Sequence, residues 1–392
     1  MDLNDLASQI PDLETFLETF ASCFPRREVR TNATRYVRGL LADVQRKNGW
    51  QLAEELGLSD PHARQRLLNE AKWDDTEVRR QMRQTTIAQI GYNPGVGVLD
   101  ESGFIKWGQK SAGVARQYCG RLGKVDNCQV GVYLAYVAPT GAAFLDVQLY
   151  LPKAWIDDRD RCQAAKIPDE VTFQTKPEIA QAMLKNVWAE GIPMQWVTGD
   201  TLYGNSPGLR HSIHAHQRHY VMEIGPHHRV TLASGAQIKL SDLPDTLAPA
   251  DWQRLCFRLG EKAILADDWQ PHRVMLAADA DVIGEQWLLI RRSGKNQSIY
   301  RFYLSNAPLD APLNDLVMVI HARHRIEDLF GEAKSEVGMA DYEVRHWHGW
   351  HRHMTLVMVA HTWLKLAQHR EREKKPAAVR VLCESSRIAP HS

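Results

Sequence analysis

The pattern of apolar and polar positions divides the chain into stretches of different period. Over the first ninety or so residues, apolar side chains recur every three or four positions. In IPDLETFLETFASCF, Leu13, Phe16, Leu17 and Phe20 fall on one helical face, and Pro11 suits a first-turn position. WQLAEELGLSDPHARQRLLNEAKW reads as a helix, a glycine turn at Gly57, and a second helix capped by Ser59 or Asp60 with Pro61 at its start. From about residue 93 the pattern changes. GVGVLD is a short apolar run ending in Asp100. NCQVGVYLAYVAPTGAAFLDVQLYLP predicts two strands joined by a Pro-Thr-Gly turn. KPEIAQAMLKNVWAEGI is an amphipathic helix, and PMQWVTGD is another apolar run, ending in Asp200. Strand, hairpin, helix and strand in that order make an α/β layer pattern.

Between about 223 and 305 the runs VTLASGAQIKL, WQRLCFRLG, HRVMLAADA, QWLLIRRSG and SIYRFYLSN are short and separated by Gly, Asp and Asn. They predict a β-rich insertion. Helical periodicity returns from Leu313 to about Arg370, and the tail 371–392 carries no clear pattern. The expected organisation is therefore a helical segment 1–92, an α/β domain in two pieces (93–222 and 306–370), and a β-rich subdomain 223–305 between them. A length of 392 residues agrees with more than one domain.

Composition narrows the class without naming it. With 44% hydrophobic and 24% charged residues the chain reads as a soluble globular protein. No apolar run approaches the length of a bilayer span, and MDLNDLASQIPDL does not read as a signal peptide. The six cysteines are scattered without a CxxC pair, which points to a reducing cytoplasm and away from a cysteine zinc site. A net charge of +1 leaves nucleic-acid binding to local basic faces. One such face is the helical segment, with Arg26, Arg27, Arg30, Arg35, Arg38, Arg64, Arg66, Arg79, Arg80 and Arg83. Residues 50–72 within it resemble a helix-turn-helix, although a plain helical hairpin fits as well.

Three acids stand at chemically suggestive places. Asp100 and Asp200 end apolar runs, where ligands gather in open α/β sheets, but Asp also starts turns, and for either alone that is the simpler account. The third lies in RHRIEDLFGEAKSEVG. Ile326, Leu329, Phe330, Ala333 and Val337 form one apolar stripe, and Arg323, Glu327 and Lys334 fall within an arc of about 40° along its edge. An Arg323–Glu327 ion pair is possible, yet base before acid is the weaker order on a helix. Together, three carboxylates could hold two hard divalent cations.

Asp100, the VTGDTLYG around Asp200, and RHRIEDLFGEAK resemble the DDE insertion-sequence transposases, whose catalytic core is ribonuclease H-like. The branch resembled carries its third acid in a Y-x2-R-x3-E-x6-K signature. Arg323, Glu327 and Lys334 match that spacing, and Ile320 stands where the tyrosine would be. ESGFIKWGQKSAGVARQYCGRLGKVDNCQ and YEVRHWHGWHRHMTLVMVAHTWL resemble a subgroup of the same enzymes. The resemblance implies catalytic and metal-binding roles for Asp100, Asp200 and Glu327. It implies two Mg2+ ions, with Mn2+ as a substitute, and DNA-phosphate contacts for Arg323 and Lys334. The partners implied are double-stranded DNA and a second subunit in a homodimer on DNA, with no membrane, in the cytoplasm and its nucleoid. Lys106, Lys110, Arg116, Arg121 and Lys124, among the glycines after Asp100, are further candidates for phosphate contact. Trp252, Trp269 and Trp287 are the insertion tryptophans that could stack on a base, with packing the simpler role. His346, His348, His351 and His353, and His211, His214, His216 and His219, are dense enough to consider zinc. Without a cysteine among them, packing or DNA contact is the better account. A nuclease without strand transfer and a DNA-binding regulator are the alternatives to a transposase.

Overall fold

The structure is a computed structural model that describes residues 10–55, 62–120, 122–259, 263–293 and 299–374. Six strands form the part of the sheet that carries the two aspartates: β1 (Gly95–Ile105), β2 (Ala115–Cys119), β3 (Lys124–Ala138), β4 (Gly141–Leu149), β5 (Met194–Gly199) and β6 (His219–Ile224). β1, β3 and β4 are antiparallel neighbours, with β3 in the middle. β5 then lies parallel to β1, and β6 parallel to β5. Three antiparallel strands followed by two parallel ones form the ribonuclease H-like core expected of this chain. The run CQVGVYLAY in β3 is buried on both faces, which is why it is apolar without alternation. The crossover helix between β4 and β5 is Lys176–Ala189. It starts at a capping box in which Thr175 and Glu178 satisfy each other's backbone N–H groups.

The β-rich stretch supplies β7 (Arg229–Leu232), β8 (Gln237–Lys239), β9 (Gln253–Leu259), β10 (Ala263–Leu276), β11 (Glu285–Arg292) and β12 (Tyr300–Ser305). It is not a separate sheet. β12 pairs antiparallel with β6, from Val221↔Ser305 to Ile224↔Phe302, so one twelve-stranded sheet runs from the core into the insertion. The expected boundary at 223 falls inside β6. An exposed edge on β6 would leave a row of unpaired backbone groups, and β12 covers it. Trp269 is fully buried here. With Leu289 and Tyr303 it packs on Leu316, Val317 and Ile320 of the helix Leu313–Ala322. Trp252 lies against Tyr300, and Trp287 carries Arg273 over its face at 3.2 Å while its indole N–H donates to the Pro308 carbonyl. All three insertion tryptophans are thus engaged in packing.

The helices of the N-terminal segment include Ile10–Glu18, Arg27–Leu41, Gly49–Glu55, His62–Asn69 and Asp75–Ile90. The residues between the third and fourth, where the expected glycine turn lies, are outside the described residues. These helices share one hydrophobic core with the sheet, through the long helix Trp347–Lys374. Polar contacts reinforce that union. The buried Tyr36 hydroxyl meets His353 Nδ1 at 2.8 Å. Arg79 donates to Asp75 and Thr355, each at 2.7 Å, and pairs with Asp146 of β4 at 2.9 Å. Arg83 grips the Glu190 carboxylate through two nitrogens. Arg79 and Arg83, counted in the sequence as part of a basic face, therefore hold this segment to the sheet. His351 and His353 are fully buried, and burial lowers their pKa to about 4 and about 3. They are neutral core groups. Among the described residues, no helix is long and apolar enough to cross a membrane.

Replacing Arg79 by methionine leaves Asp146 and Asp75 partly buried without their partner. Breaking a buried pair in this way costs about 3–5 kcal/mol, so Arg79→Met is expected to lower the urea midpoint strongly. Arg38→Ala removes an exposed pair with Glu14 and is expected to change it little. Equal midpoints for the two variants would contradict this view of how the helices are attached.

Candidate active site

β1 does not end at Asp100. It continues to Ile105 along β3, with Asp100 opposite Tyr133. Its pairing with β5 does stop: the last matched residues are Val98 and Thr198. Two residues past that pair stand Asp100 and Asp200, near enough that the charge of Asp200 raises the Asp100 pKa. The mixed neighbourhood of β1 explains both facts. β5 turns away into a short helix, Thr201–Gly204, whose first N–H groups need an acceptor, and Asp200 caps it by accepting from Leu202 N–H at 2.9 Å. Asp200 is thus a turn-forming residue and a neighbour of Asp100 at once.

Asp100 is half-buried, and burial pushes its carboxyl up to about 7. The Arg323 guanidinium and the Glu101 N–H, which donates to Oδ1 at 2.8 Å, oppose that rise; the charges of Glu101 and Asp200 add to it. This is the electrostatic condition of a site short of positive charge.

Arg323 stands at the joint between Leu313–Ala322 and the next helix, His324–Glu336. It pairs with Glu223 of β6 at 3.8 Å, not with Glu327, and Glu223 is also held by Arg301 at 2.6 Å. The helix His324–Glu336 buries Ile326, Leu329, Phe330 and Ala333, as its apolar stripe predicts. It covers the face of β1 on which Asp100 projects. Directly opposed residues share a face, and the ring of Tyr133, opposite Asp100, meets that of Phe330 at 5.0 Å. Further along the same face, Lys334 Nζ lies 6.0 Å from the ring centre of Phe104.

Helix and strand therefore run side by side in the same direction. Arg323 is level with Asp100 and Lys334 with Phe104. The spans agree: about 16 Å for eleven helical residues against about 13 Å for four strand residues. Glu327 falls between those ends, one turn past Arg323, with its side chain exposed. Among the described residues no three His, Cys, Asp or Glu side chains are grouped to hold a metal ion. The aspartates are neighbours, and the Glu327 carboxylate is not gathered with them in this conformation. As donors the residues suit a hard divalent cation: carboxylate oxygens, with one acid held up by burial.

The candidate phosphate contacts divide. Lys110, Arg116 and Lys124 are exposed, and Lys124 approaches Asp126 at 3.5 Å. Arg121 lies outside the described residues. The Lys106 ammonium is tucked against Tyr342, 3.5 Å over its ring and 3.2 Å from its carbonyl oxygen, and burial lowers its pKa to about 8.

Sequence reasoning missed a support beneath the acids. The Tyr203 hydroxyl, fully buried, donates to Glu101 Oε2 at 3.1 Å, and Lys176 pairs with Glu101 Oε1 at 2.8 Å. Tyr203 belongs to the Asp200 turn and Glu101 follows Asp100, so this bond ties the two acid-bearing segments together. The next residue, Gly204, admits no side chain, since a Cβ there would stand 1.9 Å from the Glu223 carbonyl oxygen. The YG of VTGDTLYG was the available signal; nothing in the sequence pointed to Glu223.

The Asp100 shift gives a pH-dependent stability of definite sign. An unfolded Asp titrates near about 4. The folded carboxyl, at about 7, resists ionisation. The destabilisation is absent below the unfolded pKa, grows as pH rises between the two values, and is complete above the folded one. With chelator present, Asp100→Asn is expected to unfold at a higher temperature than wild type near about pH 8, and at a similar temperature near about pH 4. An equal difference at both pH values would contradict the assignment.

Residues 19–270 match the family model described as DDE superfamily endonuclease. A probable transposase for insertion sequence element IS701, from Microchaete diplosiphon, is 30% identical over 203 residues. That is 51% of this chain and 50% of the relative, so the chain matches about half the relative's length. The family match includes Asp100, Asp200 and the Tyr203–Glu101 bond, and ends before Glu327. With most of its sheet, both aspartates and their support inside the matched residues, the chain belongs to the DDE superfamily endonucleases.

Proposed function

We propose that this endonuclease is a transposase. It binds terminal inverted repeats of a mobile element, cuts the strand to free a 3′ hydroxyl, and joins that hydroxyl to target DNA. Asp100, Asp200 and Glu327 are its catalytic and metal-holding acids. The observation that carries this is the half-buried, like-charged pair Asp100–Asp200, with the Arg323–Lys334 helix laid along the same strand. DDE superfamily nucleases generally use divalent metals. Here two Mg2+ ions, or Mn2+, would supply the Lewis acidity that activates a water or 3′ hydroxyl and steadies the leaving oxygen.

The chain's own residues do the rest. Asp100 and Asp200 would hold a cation between them, and Glu327, exposed on the helix, would complete the ligand set. Arg323, freed from balancing Asp100, meets a DNA phosphate while Glu223 keeps its guanidinium oriented. Lys334 continues the cationic track about three turns further on. Lys110, Arg116, Lys124 and Arg121 extend it across the loop and hairpin after β1. Joining two ends calls for two active sites, hence a homodimer on DNA, in the cytoplasm and its nucleoid.

Single changes of Asp100, Asp200 or Glu327 to alanine are expected to reduce cleavage of labelled repeat ends by several orders of magnitude in Mg2+, while gel-shift affinity for the ends is largely retained. Wild type with a target plasmid is expected to yield joined products. Full cleavage by any of the three variants would refute the site; cutting without joining would leave a nuclease.

A further inference from the structure

Trp107 is 100% exposed, whereas the buried tryptophans 73, 155, 269, 347, 350 and 363 are at most 7% exposed. A lone exposed apolar side chain needs no explanation, but this one is held in place. Asn127 Nδ2 donates to the carbonyls of Lys106 and Gly108, the residues on either side of Trp107, the latter at 2.9 Å. Asn127 O accepts the Lys106 N–H at 2.9 Å. Lys106 is pinned on Tyr342, and Arg161 donates to the Gln109 carbonyl at 2.9 Å. The loop thus presents an indole to solvent on an ordered backbone, the arrangement in which an aromatic contact loses least entropy on binding.

Its surroundings are cationic. Trp107 borders a cavity that Arg46, Lys110 and Arg345 also line. An adjoining cavity shares Tyr342–Arg345 as a wall and adds Lys166 and the 56% exposed Trp50. Arg46, Lys110, Lys166 and Arg345 are exposed, and none takes part in an ion pair among the described residues. Three acids line these cavities: Glu343, Asp341, which already accepts the Lys47 N–H at 2.9 Å, and Glu70, which pairs with Arg66 at 3.8 Å. Trp107 lies seven residues beyond Asp100, a reach of at most about 23 Å along the strand direction. That is roughly seven base pairs of duplex.

We infer that this groove binds an unpaired stretch of DNA, with Trp107 as the platform on which a base stacks and Arg46, Lys110 and Arg345 tracking its phosphates. The inference rests on DNA being the substrate, and it adds a single-strand site apart from the acids. Stacking is sequence-tolerant and the phosphate term is salt-dependent. The groove thus takes frayed or nicked ends of any sequence.

The test uses the full chain with chelator, so that binding is read without cleavage. The probes are a short single-stranded oligonucleotide carrying 2-aminopurine and the matching duplex. Wild type is expected to quench the 2-aminopurine of the single strand. Trp107→Ala should weaken single-strand binding about tenfold and abolish the quenching, and Trp107→Phe should restore most of both. The Lys110→Gln, Arg345→Gln double variant should flatten the salt dependence and keep the residual quenching. Unchanged single-strand affinity in Trp107→Ala, or equal losses on strand and duplex, would overturn the inference. Cleavage of duplex ends by wild type in Mg2+, measured separately, reports on the active-site assignment whatever the binding result.

Discussion

Two parallel strands that part company two residues too early create the chemistry of this molecule. β1 and β5 stay paired as far as Val98 and Thr198, then diverge. Because the residues two positions further along are both aspartates, burial and like charge act on the same place, and the Asp100 carboxyl is pushed up to about 7. A fold that selected only for stability would not keep an acid there. On the function proposed above, a bound cation would relieve that repulsion, and the surrounding side chains hold the two segments together. Tyr203 and Lys176 fix Glu101 from below, Gly204 lets the turn press against β6, and Glu223 restrains Arg323 from the side.

The third acid obeys a different constraint. Glu327 rides on a helix whose position is set by Phe330 against Tyr133 and by the packing of the preceding helix on Trp269 and Tyr303 of the insertion. The insertion therefore bears on the active site mechanically, through the wall against which Leu313–Ala322 rests. The aspartates are fixed by backbone register, and Glu327 by side-chain packing. Under the proposed function, the site would have two acids held by the backbone and a third, exposed one that completes it when the metal binds.

Much of this was legible in the sequence, for reasons that differ by element. The hairpin of β3 and β4, the amphipathic helix Lys176–Ala189 and the stripe Ile326–Leu329–Phe330–Ala333 follow from local period and turn chemistry, and they form as read. Asp100 was read as a strand end because the apolar run stops there. The run stops because β5 stops, while β1 itself goes on with a single neighbour. The continuity of the sheet through β6 and β12 was hidden, since nothing local announces which edge a distant strand will cover. Likewise the arginines of Asp75–Ile90 look like a basic face until Asp146 and Glu190, far along the chain, are brought to them. Sequence period reports what a residue's own element needs; partners supplied by another element stay invisible to it.

The most direct measurement is a crystal structure of the protein grown with Mn2+, with the metal located by anomalous scattering. The account predicts Mn2+ between the carboxylates of Asp100 and Asp200, with the Glu327 side chain turned in to complete the ligand set and Arg323 displaced toward solvent. Mn2+ bound elsewhere, or at the aspartates with Glu327 still turned outward in the presence of DNA, would contradict it.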